Sequence, residues 1–175
     1  MRLYLIGYMF CGKSTIGKQL ASRIDYDFMD LDDIIEEHYH ITVSDLFQRY
    51  GEAAFRQLET RTLTATAKRD KIVVACGGGT PCHNDNMLFI RQHGHSVYLK
   101  LSADNVMQRY KYSHRKQQRP LLQNLSPSEM RQYITEQLAA REEYYSQANL
   151  TVDAFHPPLP QIVENIMNWF HTIEE

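Results

Sequence analysis

The residues with the clearest capacity for chemistry form one run near the start of the chain, Gly7-Tyr8-Met9-Phe10-Cys11-Gly12-Lys13-Ser14-Thr15. The spacing G-x-x-x-x-G-K-[ST] is that of a loop whose backbone N–H groups cradle phosphates. Lys13 supplies a mobile charge for the outer phosphates of a nucleotide, and Ser14 a hydroxyl ligand for Mg²⁺. Such a loop works only where a strand turns sharply into a helix. The turn aims the amides at one concave spot, and the helix N-terminus adds its positive end. Residues 3–6 are apolar and read as a buried strand, and Ile16, Leu20 and Ile24 follow at helical spacing.

A phosphate cradle defines a ligand class and not a reaction. In open α/β sheets ligands bind beyond the carboxyl ends of the strands, and three further features are expected there. The first is Asp30 and Asp32, after a second strand. If that strand runs past Met29, the two carboxylates share a face. One would help place Mg²⁺ through water, and the other would accept or orient the proton of a substrate hydroxyl. Capping of the next helix by Asp32 or Asp33 accounts for the same residues. The second feature is Gly77-Gly78-Gly79, a run that lets a ligand approach the backbone and permits positive φ, or else a plain turn. The third is a cationic loop with Lys111, Arg115, Lys116 and Arg119. Closing cations stabilise the charge of phosphoryl transfer and a lid excludes water, although a solvated basic loop has the same composition. Arg56 and Arg141 are candidates for gripping a carboxylate through paired N–H bonds. Nothing local brings these two together, and by pattern alone a solvated helix position is the simpler account of each.

The elements that must position these groups alternate between strand and helix. Strands are expected at 26–29, 72–76, 96–101 and 150–153 besides the first. Helices are expected at 34–38, at 42–50 and from Gly51 to 68, then at 84–93, 103–110 and 126–147, with a closing helix marked by Ile162, Ile166 and Phe170. Ser126-Pro127-Ser128-Glu129 is a capping box with Pro at the first helical position. This alternation predicts a parallel sheet covered by helices, a three-layer α/β/α arrangement. The 175 residues make one domain, with a helical segment at about 32–61 and a lid at about 111–125.

A formal charge of −2 gives no general pull toward nucleic acid or anionic membrane. No apolar run approaches the roughly 20 residues that span a bilayer, and a first strand at residue 2 or 3 leaves no room for a signal peptide. Three cysteines without framework spacing suit reduced thiols in a cytoplasm.

Together the motifs resemble the shikimate kinase family across nearly the whole chain. The resemblance rests on Gly7 to Thr15, Asp30-x-Asp32, Phe55-Arg56, Gly77-Gly78-Gly79, Arg119-Pro120-Leu121-Leu122, and Arg141 with Tyr145. It implies a five-stranded parallel sheet of order 2-3-1-4-5, as in nucleoside monophosphate kinases. It also implies transfer of the ATP γ-phosphoryl group to the 3-hydroxyl of shikimate by a monomer, on the route to chorismate. By the same resemblance Asp32, Arg56, Gly78, Gly79 and Arg141 hold shikimate, with Asp32 as base and the two arginines on the carboxylate. Gly7, Cys11, Gly12, Lys13, Ser14 and Thr15 hold ATP, with Arg119 on the phosphates and His156-Pro157 at the adenine. Ser14 binds Mg²⁺, with Asp30 in its water shell. The chain departs from the family where Phe10 and Cys11 replace Gly and a small residue, and nucleotide is expected to shield Cys11 from alkylation. Its lid at 112–118 is also longer, which leaves Arg109 or Arg115 to partner Arg119. A gluconate kinase of the same fold and a nucleotide-binding regulator without catalysis are the rival readings. Asp-x-Asp, Phe-Arg and the triple glycine favour shikimate, and intact Lys13, Ser14, Asp32 and Arg119 oppose the regulator.

Overall fold

The computed structural model describes residues 1–113, 122 and 124–174. Five strands, β1 (Arg2–Ile6), β2 (Asp27–Asp30), β3 (Ile72–Ala75), β4 (His95–Lys100) and β5 (Leu150–Asp153), form one sheet of order β2-β3-β1-β4-β5. Every pairing is parallel. Around it lie α1 (Lys13–Arg23), α2 (Leu31–Tyr39), α3 (Val43–Ala65), α4 (Asn86–His93), α5 (Ala103–Tyr112), α6 (Pro127–Tyr145) and α7 (Leu159–Glu174). Helices α1 and α7 pack against each other, while α3, α4 and α6 gather at the short turn Thr80–Cys82. Layers on both faces explain why Leu3 to Ile6 and Ile72 to Ala75 are buried without alternation.

Register sets the site. Ala75 pairs with Leu5 on one side and with Asp30 on the other, so these three form one row across the sheet. Two residues beyond that row the chains reach Gly7, Gly77 and Asp32 together. The phosphate loop, the triple glycine and the acidic pair thus share one sheet end because three parallel strands stop level with one another.

Gly51 (φ 80°, ψ 170°) breaks α3 into two helical pieces, as its place in the sequence indicated. With α2 they enclose a small apolar cluster of Ile35, Leu46 and Phe55, separate from the main core. The capping box of α6 is formed in both directions. Helix α4 starts at Asn86, two residues later than expected, because Thr80–Cys82 is a tight turn containing Pro81, and Asn84 and Asp85 both adopt positive φ.

Candidate active site

The phosphate loop owes its shape to three residues at positive φ: Gly7 (142°), Phe10 (64°) and Gly12 (94°). A Cβ at Gly7 would lie 2.6 Å from the Leu99 carbonyl oxygen, so only glycine fits. Phe10 occupies a left-handed conformation that costs a side-chain-bearing residue about 1 kcal/mol or more. Contacts from α5 hold it there. Its ring meets Tyr110 edge-on at 5.9 Å, and its carbonyl accepts from Arg109 Nη1 at 2.7 Å. Phe10 therefore preserves the loop instead of deforming it. Phe10→Gly and Phe10→Ala both lose the ring, but only the first relieves the strain. In urea unfolding Phe10→Gly should be the more stable by about 1 kcal/mol, and equal stabilities would refute the strain.

Lys13 Nζ donates to the carbonyls of Gly7 (2.8 Å) and Tyr8 (3.0 Å), which lays the ammonium across the loop. Cys11 faces inward, fully buried. The expectation that nucleotide shields this thiol loses its basis, because the protein already covers it.

Ser14 Oγ donates to Asp30 Oδ2 at 2.5 Å. Asp30 Oδ1 accepts from the Asp32 backbone N–H at 3.1 Å, making Asp30 the N-cap of α2. This corrects the extended reading of Asp30-x-Asp32. The strand ends at Asp30, and Asp32 lies in the first helical turn, where a carboxylate suits the positive helix end. Capping falls to Asp30, not to Asp32 or Asp33.

The triple glycine is not chosen for φ, since none of its three residues is at positive φ. It is chosen for space. A Cβ on Gly77 would meet Glu59 Oε1 at 2.5 Å and Asp32 Oδ1 at 3.1 Å. One on Gly79 would meet Arg56 Nη1 and Nη2 at 2.6 Å, and one on Gly78 would lie 3.4 Å from Arg141 Nη1. Asp32, Arg56 and Arg141 therefore converge on this turn.

Neither arginine is solvated as a local reading allowed. Arg56, 12% exposed, pairs with Glu59 at 2.5 Å and Glu52 at 3.1 Å, and lies 5.5 and 5.4 Å from the Phe47 and Phe55 ring centres. Arg141 lies 5.1 Å from the Tyr8 ring centre and donates to Gln137 Oε1 at 3.0 Å. The sequence reading missed Glu59, whose Oε1 accepts from Thr80 Oγ1 at 2.6 Å. Its signal was present: Phe55, Glu59 and Leu63 recur every four residues on the buried stripe of α3. A carboxylate on such a stripe needs a cation, and Arg56 is one turn away.

On the other side of the loop lies a cavity of about 210 Å³ lined by Cys11, Gly12, Thr15, Ile16, Arg109 and Pro157, among others. Arg109 closes it by bridging the carbonyls of Phe10 and Ala154. His156 does not line this cavity. It pairs with Asp153 at 2.6 Å, and the Phe155 backbone N–H together with His156 holds the Asp153 carboxyl below its usual range. Arg109 is thus committed to the two carbonyls at this cavity. Arg115, Arg119, Pro120 and Leu121 lie outside the described residues. A larger groove of about 900 Å³ between α2 and α3 includes none of the candidate site residues.

The family model "Shikimate kinase" matches residues 9–171. A shikimate kinase of Parabacteroides distasonis is 41% identical over 153 residues, 87% of this chain and 87% of the relative. The crystal structure of a shikimate kinase from Bacteroides thetaiotaomicron superposes with a TM-score of 0.91 at 36% identity, covering 98% of both chains. A shikimate kinase from Acinetobacter baumannii, solved in complex with shikimate, gives 0.87 at 29% identity, covering 98% of this chain and 93% of that one. With a strand-ordered phosphate loop, a glycine turn cleared for two arginines and a match over nearly its whole length, the chain belongs to the shikimate kinase family.

Proposed function

We propose that the two halves of this site perform one reaction, the transfer of the ATP γ-phosphoryl group to the 3-hydroxyl of shikimate, giving shikimate 3-phosphate and ADP. The observation that carries the reading is the convergence of Asp32, Arg56 and Arg141 on Gly77-Gly78-Gly79, level with the phosphate loop. Arg56 and Arg141 would receive the acceptor carboxylate beside Gly78 and Gly79. Asp32 would take the proton of the attacking hydroxyl as its oxygen bonds to the γ-phosphorus and the β–γ bridge bond breaks. Lys13 would exchange its loop carbonyls for phosphate oxygens, and Gly7, Gly12 and Thr15 would complete the cradle. The base would enter the cavity between Arg109 and Pro157, with His156 at its border. Arg119 is assigned to the transferring phosphoryl group from its sequence context.

Mg²⁺ fits the oxygen pair of Ser14 and Asp30, a hydroxyl and a carboxylate in contact at the mouth of the cradle. A hard cation that retains water suits such donors, with Asp30 reaching it through a water molecule. Bound there, Mg²⁺ would neutralise phosphate charge. The reading takes the enzyme as a cytoplasmic monomer. Cys11, Cys76 and Cys82 are free thiols, as a reducing compartment favours, and one chain supplies all the site groups described. The test is ADP release from ATP·Mg²⁺ with shikimate, with gluconate and with no acceptor. ADP formed only with shikimate is the expected result. ADP formed with gluconate would discard the acceptor, and ATP binding without turnover would return the regulatory reading.

A further inference from the structure

Arg141 is held from below by the Tyr8 ring and along α6 by Gln137, and neither contact ties it to the glycine turn. One side chain bears on both the arginine and the turn. Tyr145, one turn further along α6, is fully buried, and its hydroxyl donates to the Gly78 carbonyl at 2.5 Å. The Arg141 guanidinium reaches the same glycine, its Nη1 3.4 Å from where a Gly78 Cβ would stand. Burial pushes the phenol far above its ordinary titration range in spite of Arg141, so it keeps its proton and remains a donor. The ring itself packs on Tyr98, with centroids 4.9 Å apart. Phenylalanine would fill the same space, so packing does not explain the hydroxyl.

We infer that the Tyr145 hydroxyl is a positioning group for the acceptor site, holding the Gly78 carbonyl and the Arg141 guanidinium in a fixed mutual arrangement. The inference rests on the assignment of Gly78 and Arg141 to shikimate. A guanidinium already oriented loses less rotamer freedom when a carboxylate docks on it. Removing the hydroxyl leaves the Gly78 carbonyl without this donor and frees the clamp to turn. The loss falls on acceptor binding. The nucleotide side has its own restraints, Lys13 on Gly7 and Tyr8 and Arg109 on Phe10 and Ala154.

The experiment is steady-state kinetics of Tyr145→Phe with ATP·Mg²⁺ and shikimate, beside Tyr98→Phe. The control removes a second buried phenol from the same cluster, one that donates to Glu142 at 3.0 Å. Tyr145→Phe should raise the shikimate KM about tenfold and leave the ATP KM within about twofold. Tyr98→Phe should lower Tm to a similar extent with the shikimate KM unchanged. An unchanged shikimate KM in Tyr145→Phe, or equal rises in both variants, would overturn the inference by reducing the hydroxyl to a structural role. A Tyr145→Phe protein that does not fold would overturn it too. Wild-type protein that binds ATP but does not turn over shikimate is a separate result. It would sink the acceptor assignment, and the inference with it, before any variant is compared.

Discussion

Replacing Asp32 with Asn is expected to lower kcat by roughly 10²–10⁴-fold while the Kd for ATP changes by less than about twofold. The substitution keeps the size of the side chain and its place in the first turn of α2. It removes the ability to take up a proton. In the structure Asp32 Oδ1 lies toward Gly77, while Lys13 contacts the phosphate loop and Ser14 pairs with Asp30. A group on the acceptor side should therefore be felt in the chemical step. Shikimate KM is expected to move less than kcat, because under the proposed assignment the amide would still hydrogen-bond a ring hydroxyl. Equilibrium titration with ATP and steady-state rates together separate these terms. An unchanged kcat would remove Asp32 from the chemistry, and a parallel loss of ATP affinity would show that the acidic pair acts as one metal-binding unit.

What could be read from the residues follows from which interactions are local. The phosphate loop was legible because one ligand dictates a fixed pattern over eight consecutive positions and the flanking strand and helix confirm it. Strand order rested on the family resemblance, and the structure gives the same order. The acidic pair was half legible. Asp30 terminates a strand and caps a helix at once, and a short side chain that accepts from its own backbone two residues on is compatible with both readings. That one of the two carboxylates meets Ser14 at a Mg²⁺ site was expected from the residues, and the resemblance specified Asp30. Phe10 shows a different limit. Its type argues against positive φ, and Tyr110 and Arg109, about 100 positions away, supply contacts that hold it there. Glu59 was passed over because a glutamate in a helix is usually read as solvated. The buried stripe on which it lies contradicts that habit, and its partners Arg56 and Thr80 sit on two different elements.

That buried carboxylate carries the largest expected effect on stability. Glu59 is 1% exposed, with one oxygen 2.5 Å from Arg56 Nη1 and the other 2.6 Å from Thr80 Oγ1. Glu59→Gln retains an acceptor for Thr80 and, of the two carboxylates that pair with the guanidinium, leaves the exposed Glu52. Breaking a buried pair from one side typically costs about 3 kcal/mol or more, because the surviving charge stays desolvated. For a chain of this size Tm should fall by roughly 6–12 °C. The shikimate KM should rise as well, since Arg56 is then held against Gly79 by one carboxylate instead of two. Arg56→Met should be destabilising by a similar mechanism, with Glu59 now the stranded charge. The double variant should cost clearly less than the sum of the two, because no uncompensated charge remains in the interior. Additive losses measured by urea unfolding would mean that the two groups act independently. Loss of less than about 0.5 kcal/mol in Glu59→Gln would mean that Glu52 alone neutralises Arg56, and that the buried carboxylate serves Thr80 and the glycine turn instead.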